Sequence, residues 1–312
     1  MTRAERILLE RGIRPASVFG GKFSRRPFWR LEKRALILNG LKDRVLRYVM
    51  ERRCREGGYC FYKLEEPNGL DTYSAMSVLN LLGVSFQDGK TVSYLQGMQN
   101  DDGSYDSVFM AHYALESLRL SGEEARHDPL PYILKHIQHD RLDAEKLPAE
   151  ITSVYKRMAF LVDLYVRFKK NHDPLTEKNL RDFVLSFYNE DKGFGFRKST
   201  LGETSRALML LARLQYPIRE LHAIDFIRQC ETLACGFTDI PGTSLSYIEY
   251  IHAGAVAADI TGYRIRYFDQ CVDFIRNCQN RTGGFSRVMH GGIATLEDTF
   301  YAVQALKLLS AL

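Results

Sequence analysis

The sequence predicts an all-α fold, a closed α6/α6 toroid in which six inner helices stand inside a ring of six outer ones. Three observations lead there. A Gly-aromatic turn recurs along the chain, an amphipathic helical pattern with a charged face precedes each turn, and a nearly all-apolar helical pattern follows it. The turns read VMERRCREGGY to Tyr59, YLQGMQNDDGSY to Tyr105, FVLSFYNEDKGFGF to Phe196, FIRQCETLACGF to Phe237 and FIRNCQNRTGGF to Phe285. Their aromatic anchors lie 46, 91, 41 and 48 residues apart, and the 91 is a doubled period whose middle member, Tyr132 to His139, has lost its glycine. Six units of about 45 residues match the period of all-helical repeats. The second helix of a unit is clearest in Asp71 to Gly83 and in Glu297 to Leu309; its apolar positions follow helical spacing all round, as expected of a helix enclosed by others.

At 312 residues, 45% hydrophobic and 26% charged, the chain can bury a large core, which excludes a disordered or collagen-like polymer. It contains no run of the roughly 18 apolar residues that a membrane helix needs, so a cytoplasmic protein is expected. Six cysteines without C-x-x-C spacing point to reduced thiols rather than a disulfide framework. Residues 1–34 hold ten Lys or Arg against three Glu, a net +7, and leave −2 to the rest, so residues 1–34 are read as a basic arm and 35–312 as one toroid domain. The arm mixes arginines with Phe19, Phe23, Phe28 and Trp29, which suits either a strap packed on the domain or a peripheral contact with an anionic membrane; nucleic acid is the less favoured partner.

The units QNRTGGFSR with LEDTFYAVQALKLL, and MQNDDGSY with the helix after it, resemble the repeats of protein prenyltransferase β-subunits and of squalene and terpene cyclases. The resemblance spans about residues 40 to 312. It implies a central apolar cavity that holds an isoprenoid chain, with an isoprenoid diphosphate or another lipid as ligand, and a helical α-subunit or a second copy of the chain as partner.

Aligning the second helices on a recurring small residue (Ala75, Ala114, Ala207, Ala253 and Ala302, with Met158 as the exception) brings chemically loaded positions into register. One residue earlier stand Ser74, Tyr113, Arg157, Arg206, His252 and Tyr301; two earlier are Tyr73, His112, Lys156, Ser205, Ile251 and Phe300. Four earlier lies an acidic set including Glu203, Glu249 and Asp298. These positions begin the inner helices, where free N–H groups and the helix dipole favour an anion. Arg157 and Arg206 in first turns call for a compensating anion, either diphosphate or an acid such as Glu203. Candidate diphosphate ligands are Arg157, Arg206 and His252, joined by Arg287 and His290, which follow the last turn much as a basic pair does in the prenyltransferases. Candidate cavity-lining rings are Tyr73, His112, Tyr113 and Phe300 on the helices, and Tyr59, Tyr105, Phe196 and Phe285 at the turns.

The prenyltransferase zinc ligands, D-x-C on one inner helix and His on the next, are not matched: Phe300 stands where Cys would follow Asp298, and Tyr301 stands at the His register. Glu249 and His252 with Asp298 are the only remaining set for zinc or magnesium, and no metal or cofactor is assigned. The cyclase D-x-D-D motif survives only as Glu297-Asp298, so Glu249, Glu297, Asp298 and Tyr301 are the candidate catalytic residues, with helix capping as the plain reading of the acids. The expected function is transfer of a prenyl chain to an acceptor; the alternatives are a cyclase using Glu297 and Asp298, or a non-catalytic lipid- or protein-binding toroid.

Overall fold

The structure, a computed structural model, describes residues 40–62, 64–84, 88–139 and 151–310, with residue 139 and residues 151–155 in backbone only. The basic arm and its expected membrane contact lie outside the described residues. Residues Leu38–Leu312 form one compact unit. Among the described residues twelve α-helices run in six pairs: α1 (residues 40–50) with α2 (Gly69–Leu81), α3 (Gly89–Gln96) with α4 (Val108–Ser121), and α5 (Leu130–His139) with α6 (Ile151–Phe168). The last three are α7 (Pro174–Leu185) with α8 (Leu201–Arg213), α9 (Ile224–Cys230) with α10 (Ile248–Thr261), and α11 (Phe268–Cys278) with α12 (Leu296–Leu308). A two-residue antiparallel hairpin, β1 (Glu231–Thr232) and β2 (Gly236–Phe237), forms the fifth turn.

The second helices close on themselves. α2 packs on α4, α4 on α6, α6 on α8, α8 on α10, α10 on α12, and α12 returns to α2. The alanines that set the register, Ala75, Ala114, Ala207 and Ala302, are fully buried where these helices meet, so small side chains permit the approach that closure requires.

The repeated turn has a physical recipe that ties the outer ring to the inner one. The backbone N–H of the aromatic anchor donates to a threonine on the inner helix: Tyr59 to Thr72 (3.0 Å), Phe194 to Thr204 (2.9 Å) and Phe285 to Thr299 (3.0 Å). Each anchor ring and each threonine is fully buried between the rings, so the hydrogen bond satisfies a donor that water cannot reach. The fourth anchor is therefore Phe194 and not Phe196: the spelling GFGF offers two candidates, and Phe196 lies half-buried with the Arg197 guanidinium 5.3 Å from its ring centre.

Glycine is demanded at the turn because the next outer helix rests on it. Gly57 has φ +101°, and a Cβ there would lie 2.4 Å from the Lys90 carbonyl at the start of α3. Gly283, at φ +95°, stands in the same relation to the Arg44 carbonyl of α1, at 2.3 Å. This second contact joins the sixth unit to the first, where the Tyr48 hydroxyl also donates to the Ala294 carbonyl (2.6 Å).

Inner helices begin on side-chain caps. Asn68, Ser107, Thr200 and Thr295 each accept a hydrogen bond from the N–H three residues on. Ser107→Ala, which strips the cap from α4 alone, is expected to cost about 1 kcal/mol in urea unfolding with an unchanged m-value. A cost below the error of the measurement would show that packing alone sets that boundary.

Candidate functional site

A cavity of about 610 Å³ lies within the inner ring and is lined from all six inner helices. Its polar lining is uneven. α8, α10 and α12 present Glu203, Arg206, Glu249, His252, Glu297 and Asp298, while α6 adds Lys156 and Asp163 and the C-terminal end of α8 adds Arg213. Between them stands an aromatic wall of Tyr73, Tyr113, Phe160 and Phe300, whose rings meet at 5.6 to 5.9 Å.

Of the expected diphosphate ligands, Arg206 and His252 line this cavity. Arg157 does not: it faces the outer helix of its own unit, with Nη2 3.2 Å from His136 Nδ1. The reason is a slip of register on α6. The third unit lacks both the turn glycine and the small residue, and the side chains that face the cavity are Lys156, Ala159, Phe160 and Asp163, so Phe160 takes the place expected for Arg157. Arg287 is engaged by Glu249 through two hydrogen bonds (3.0 and 2.5 Å) and stacks over the Tyr247 ring at 4.0 Å; it is not among the lining residues. His290 is exposed beyond it. Burial holds the His252 imidazole neutral, its pKa pushed down to about 4, and Nε2–H donates to Gln304 Oε1 at 2.7 Å. His252 therefore brings no positive charge at neutral pH.

The turn aromatics are core rather than lining. Tyr59, Tyr105 and Phe285 are buried between the two helix rings and Phe196 lies outside the cavity, whereas Tyr73, His112, Tyr113 and Phe300 stand in its wall. The helix-start N–H groups are largely committed as well. On α8, Leu201 N–H donates to the Asp239 carbonyl, Gly202 N–H to Asp239 Oδ1 and Glu203 N–H to Thr200 Oγ1, so backbone donors expected to meet an anion are already used.

All four expected catalytic residues line the cavity. Tyr301 donates its hydroxyl to Glu297 Oε1 (2.9 Å), and burial, reinforced by that carboxylate, holds the phenol far above its ordinary range and protonated. Asp298 is pushed up to about 6, chiefly by burial and then by the charges of Glu297 and Glu249, against the Thr295 hydroxyl bond that favours the anion. Burial also raises Glu203 and Asp239.

A thiolate zinc site of the D-x-C and His kind does not fit this donor set. No cysteine lines the cavity; Cys271 of the single D-x-C lies buried on outer helix α11 against Gly236. Glu249 and His252 are held by Arg287 and Gln304, and among the described residues no three His, Cys, Asp or Glu side chains converge as a metal site.

Lys156, Phe160, Asp163 and Arg213 are among the lining residues to which sequence reasoning gave no role. With Arg206 and Arg213, Lys156 makes three cavity cations. Arg213 is paired with Asp163, whereas Arg206 and Lys156 have no ion-pair partner among the described residues. Glu203, one turn from Arg206, feels its charge, while the other acids nearby are occupied within the protein: Glu249 by Arg287, Glu297 by Tyr301, and Asp239 by the α8 N-terminus.

The fold is shared with solved proteins. The structure of Candida albicans protein geranylgeranyltransferase-I complexed with GGPP superposes with a TM-score of 0.57 at 15% identity, over 77% of this chain and 83% of that one. No curated protein sequence matches the chain. The family model of the prenyltransferase alpha-alpha toroid domain matches residues 28–126 and 132–312. With the closed inner ring and its repeated Gly-aromatic turns, that match places the chain in the prenyltransferase alpha-alpha toroid family.

Proposed function

We propose that this protein binds a prenyl diphosphate in the inner-ring cavity and transfers the prenyl chain to an acceptor. The observation that carries this reading is the pair of cations Arg206 and Lys156, without an ion-pair partner among the described residues, on neighbouring helices α8 and α6 beside an aromatic wall. A guanidinium and an ammonium that line a cavity without an ion-pair partner offer an anionic ligand charge-assisted hydrogen bonds. The diphosphate would rest on them, and the chain would lie along Tyr73, Tyr113, Phe160 and Phe300. A volume of about 610 Å³ falls in the roughly 300 to 1,000 Å³ range of small-molecule sites.

In this reading, neutralising the diphosphate weakens the bond between C1 and oxygen. The ring faces, together with the carboxylates of Glu249 and Glu297, stabilise positive charge as it develops on the allylic carbons. The Tyr301 hydroxyl, held toward Glu297, fixes that carboxylate in place.

The test is calorimetric titration with geranylgeranyl and farnesyl diphosphate, with inorganic diphosphate and the parent alcohols as controls. Binding that requires both chain and diphosphate supports the reading, and absence of binding by both prenyl diphosphates ends it. Arg157→Ala is expected to leave the titration unchanged, since its guanidinium lies outside the cavity; a clear loss of affinity would return Arg157 to the site. A second reading is favoured by one observation, the Asp298 carboxyl in the cavity wall, which burial pushes up to about 6. Such an acid can protonate an alkene and start cyclisation. Cyclised products that persist undiminished with Asp298→Asn would dispose of it.

A further inference from the structure

The cavity is not equally deep on all sides. On α8 its lining runs from Gly202 to Arg213, a rise of about 16 Å along the helix axis, whereas on α2 and α4 it stops at Ser74 and Tyr113, within the first two turns. Phe160 closes the α4 side, reaching in from α6 one turn below Lys156, with His112 of α4 stacked on it. The slip of register that turns Arg157 outward is what brings this ring into the cavity.

Phe160 is pinned on several sides. His112 stacks face to face on it (centroids 3.9 Å, planes 6° apart), and Phe109 and Tyr113 meet it edge-on, each at 5.6 Å. His112 is fixed in turn: it is only 4% exposed, and its Nε2 lies 3.1 Å from Asp163 Oδ2. Asp163 is itself held by Arg167 and Arg213. Burial, the largest influence on this imidazole, pushes its pKa down to about 3, so a neutral ring donates Nε2–H to that carboxylate and keeps its plane. The α8 wall is of another kind. Met209 stands there three residues after Arg206, and its unbranched side chain has rotamers with which to make room. A chain that presses on Met209 displaces it, whereas one that presses on Phe160 must overpack a filled stack.

We propose that Phe160, pinned by His112, sets the longest prenyl chain that the cavity accepts. This deepens the prenyl diphosphate reading and rests on it for the head group alone. Phe160 is the residue that meets the chain; His112 acts through Phe160 and is a positioning residue. A hydrophobic pocket discriminates between chains by the carbons it has no room for, and only a wall that does not yield can refuse them.

The experiment measures farnesyl and geranylgeranyl diphosphate, and farnesol and geranylgeraniol as a pair without the head group, by calorimetry on the wild-type chain and its variants. Phe160→Ala removes a six-carbon ring and leaves room for about one five-carbon prenyl unit, so the ratio of geranylgeranyl to farnesyl affinity is expected to rise about tenfold or more over the wild type. His112→Ala frees the Phe160 ring to tilt and should raise the ratio in part, while His112→Phe, which keeps a ring stacked on Phe160, should hold it at the wild-type value. Met209→Ala enlarges the wall that already yields and should change the ratio by less than about threefold. Should the larger cavity unfold Phe160→Ala, Phe160→Leu carries the same test with less packing lost. A ratio unchanged in the folded Phe160 variant overturns the proposal, as does an equal rise with Met209→Ala; a rise with His112→Phe as large as with His112→Ala removes His112 from its positioning role. If neither diphosphate binds but the two alcohols show the shift, the diphosphate reading falls and the role of Phe160 stands; if none of the four binds, both fall.

Discussion

Arg206→Ala is expected to weaken binding of geranylgeranyl diphosphate by at least about 30-fold, the loss of roughly 2 kcal/mol that follows when a charge-assisted contact is removed from a partly enclosed anion site. Its physical basis is the absence of any ion-pair partner for Arg206 among the described residues, although Glu203 stands one turn away on α8. Removing this cation leaves Lys156 to face the diphosphate alone, in a cavity that carries six carboxylates on its lining. Affinity for farnesol should change little, because the alcohol has no charge to lose, and that control separates a head-group effect from a collapse of the cavity. Arg206→Lys should recover part of the loss, since it keeps the charge but gives up the planar fork of donors. Titration of the three proteins with both ligands, at one salt concentration, decides the matter. Equal affinity of wild type and Arg206→Ala for the diphosphate would remove Arg206 from the site.

The fold was legible because its cause is local and repeated. At Gly57 and Gly283 glycine is imposed on the turn by the backbone of the next outer helix, and the aromatic after it fills the gap between the rings, so the spelling carries the packing. The threonines stand beside the helix-start acids, as Asp71-Thr72, Glu203-Thr204 and Asp298-Thr299, but nothing local to the sequence says that their hydroxyls receive the N–H of the anchors. The site was legible only in part. A register drawn through recurring alanines is reliable on α2, α4, α8, α10 and α12, where an alanine marks the packed face; on α6 Met158 marks nothing, and the slip exchanged Phe160 for Arg157. Charge accounting was beyond the sequence. Whether Arg287 or Arg206 is free depends on which acid crosses from a neighbouring unit, and Glu249 reaches Arg287 from 38 residues away. The protonation state of His252 depends on the burial of its surroundings, which periodicity conveys only coarsely.

Asp298 is expected to make the protein less stable as the pH rises through the range from about 4 to 6, and Asp298→Asn to abolish that dependence. The sign follows from proton linkage. The carboxyl titrates near 3.9 in the unfolded chain but is pushed up to about 6 in the fold, so between these values the native state binds more proton than the unfolded state. Stability must then fall with rising pH, and above the folded value the whole contribution, at most about 3 kcal/mol, is lost. This direction is opposite to that of a salt-bridged carboxylate. Asparagine retains an oxygen to accept from the Thr295 hydroxyl but carries no charge into the company of Glu297 and Glu249, so the variant should equal the wild type near pH 3.5 and exceed it at pH 8. Other carboxyls titrate in the same range in both proteins, and the difference between the two melting curves isolates Asp298. Thermal unfolding of wild type and Asp298→Asn at half-unit steps from pH 3.5 to 8 gives the result, and a difference in Tm that does not grow between pH 4 and 7 would show that the carboxyl ionises in the fold as it does in water. The same titration sets the fraction of Asp298 that can act as an acid. If the folded value holds at about 6, roughly one molecule in ten keeps the proton at pH 7, enough for protonation of an alkene to be tested directly.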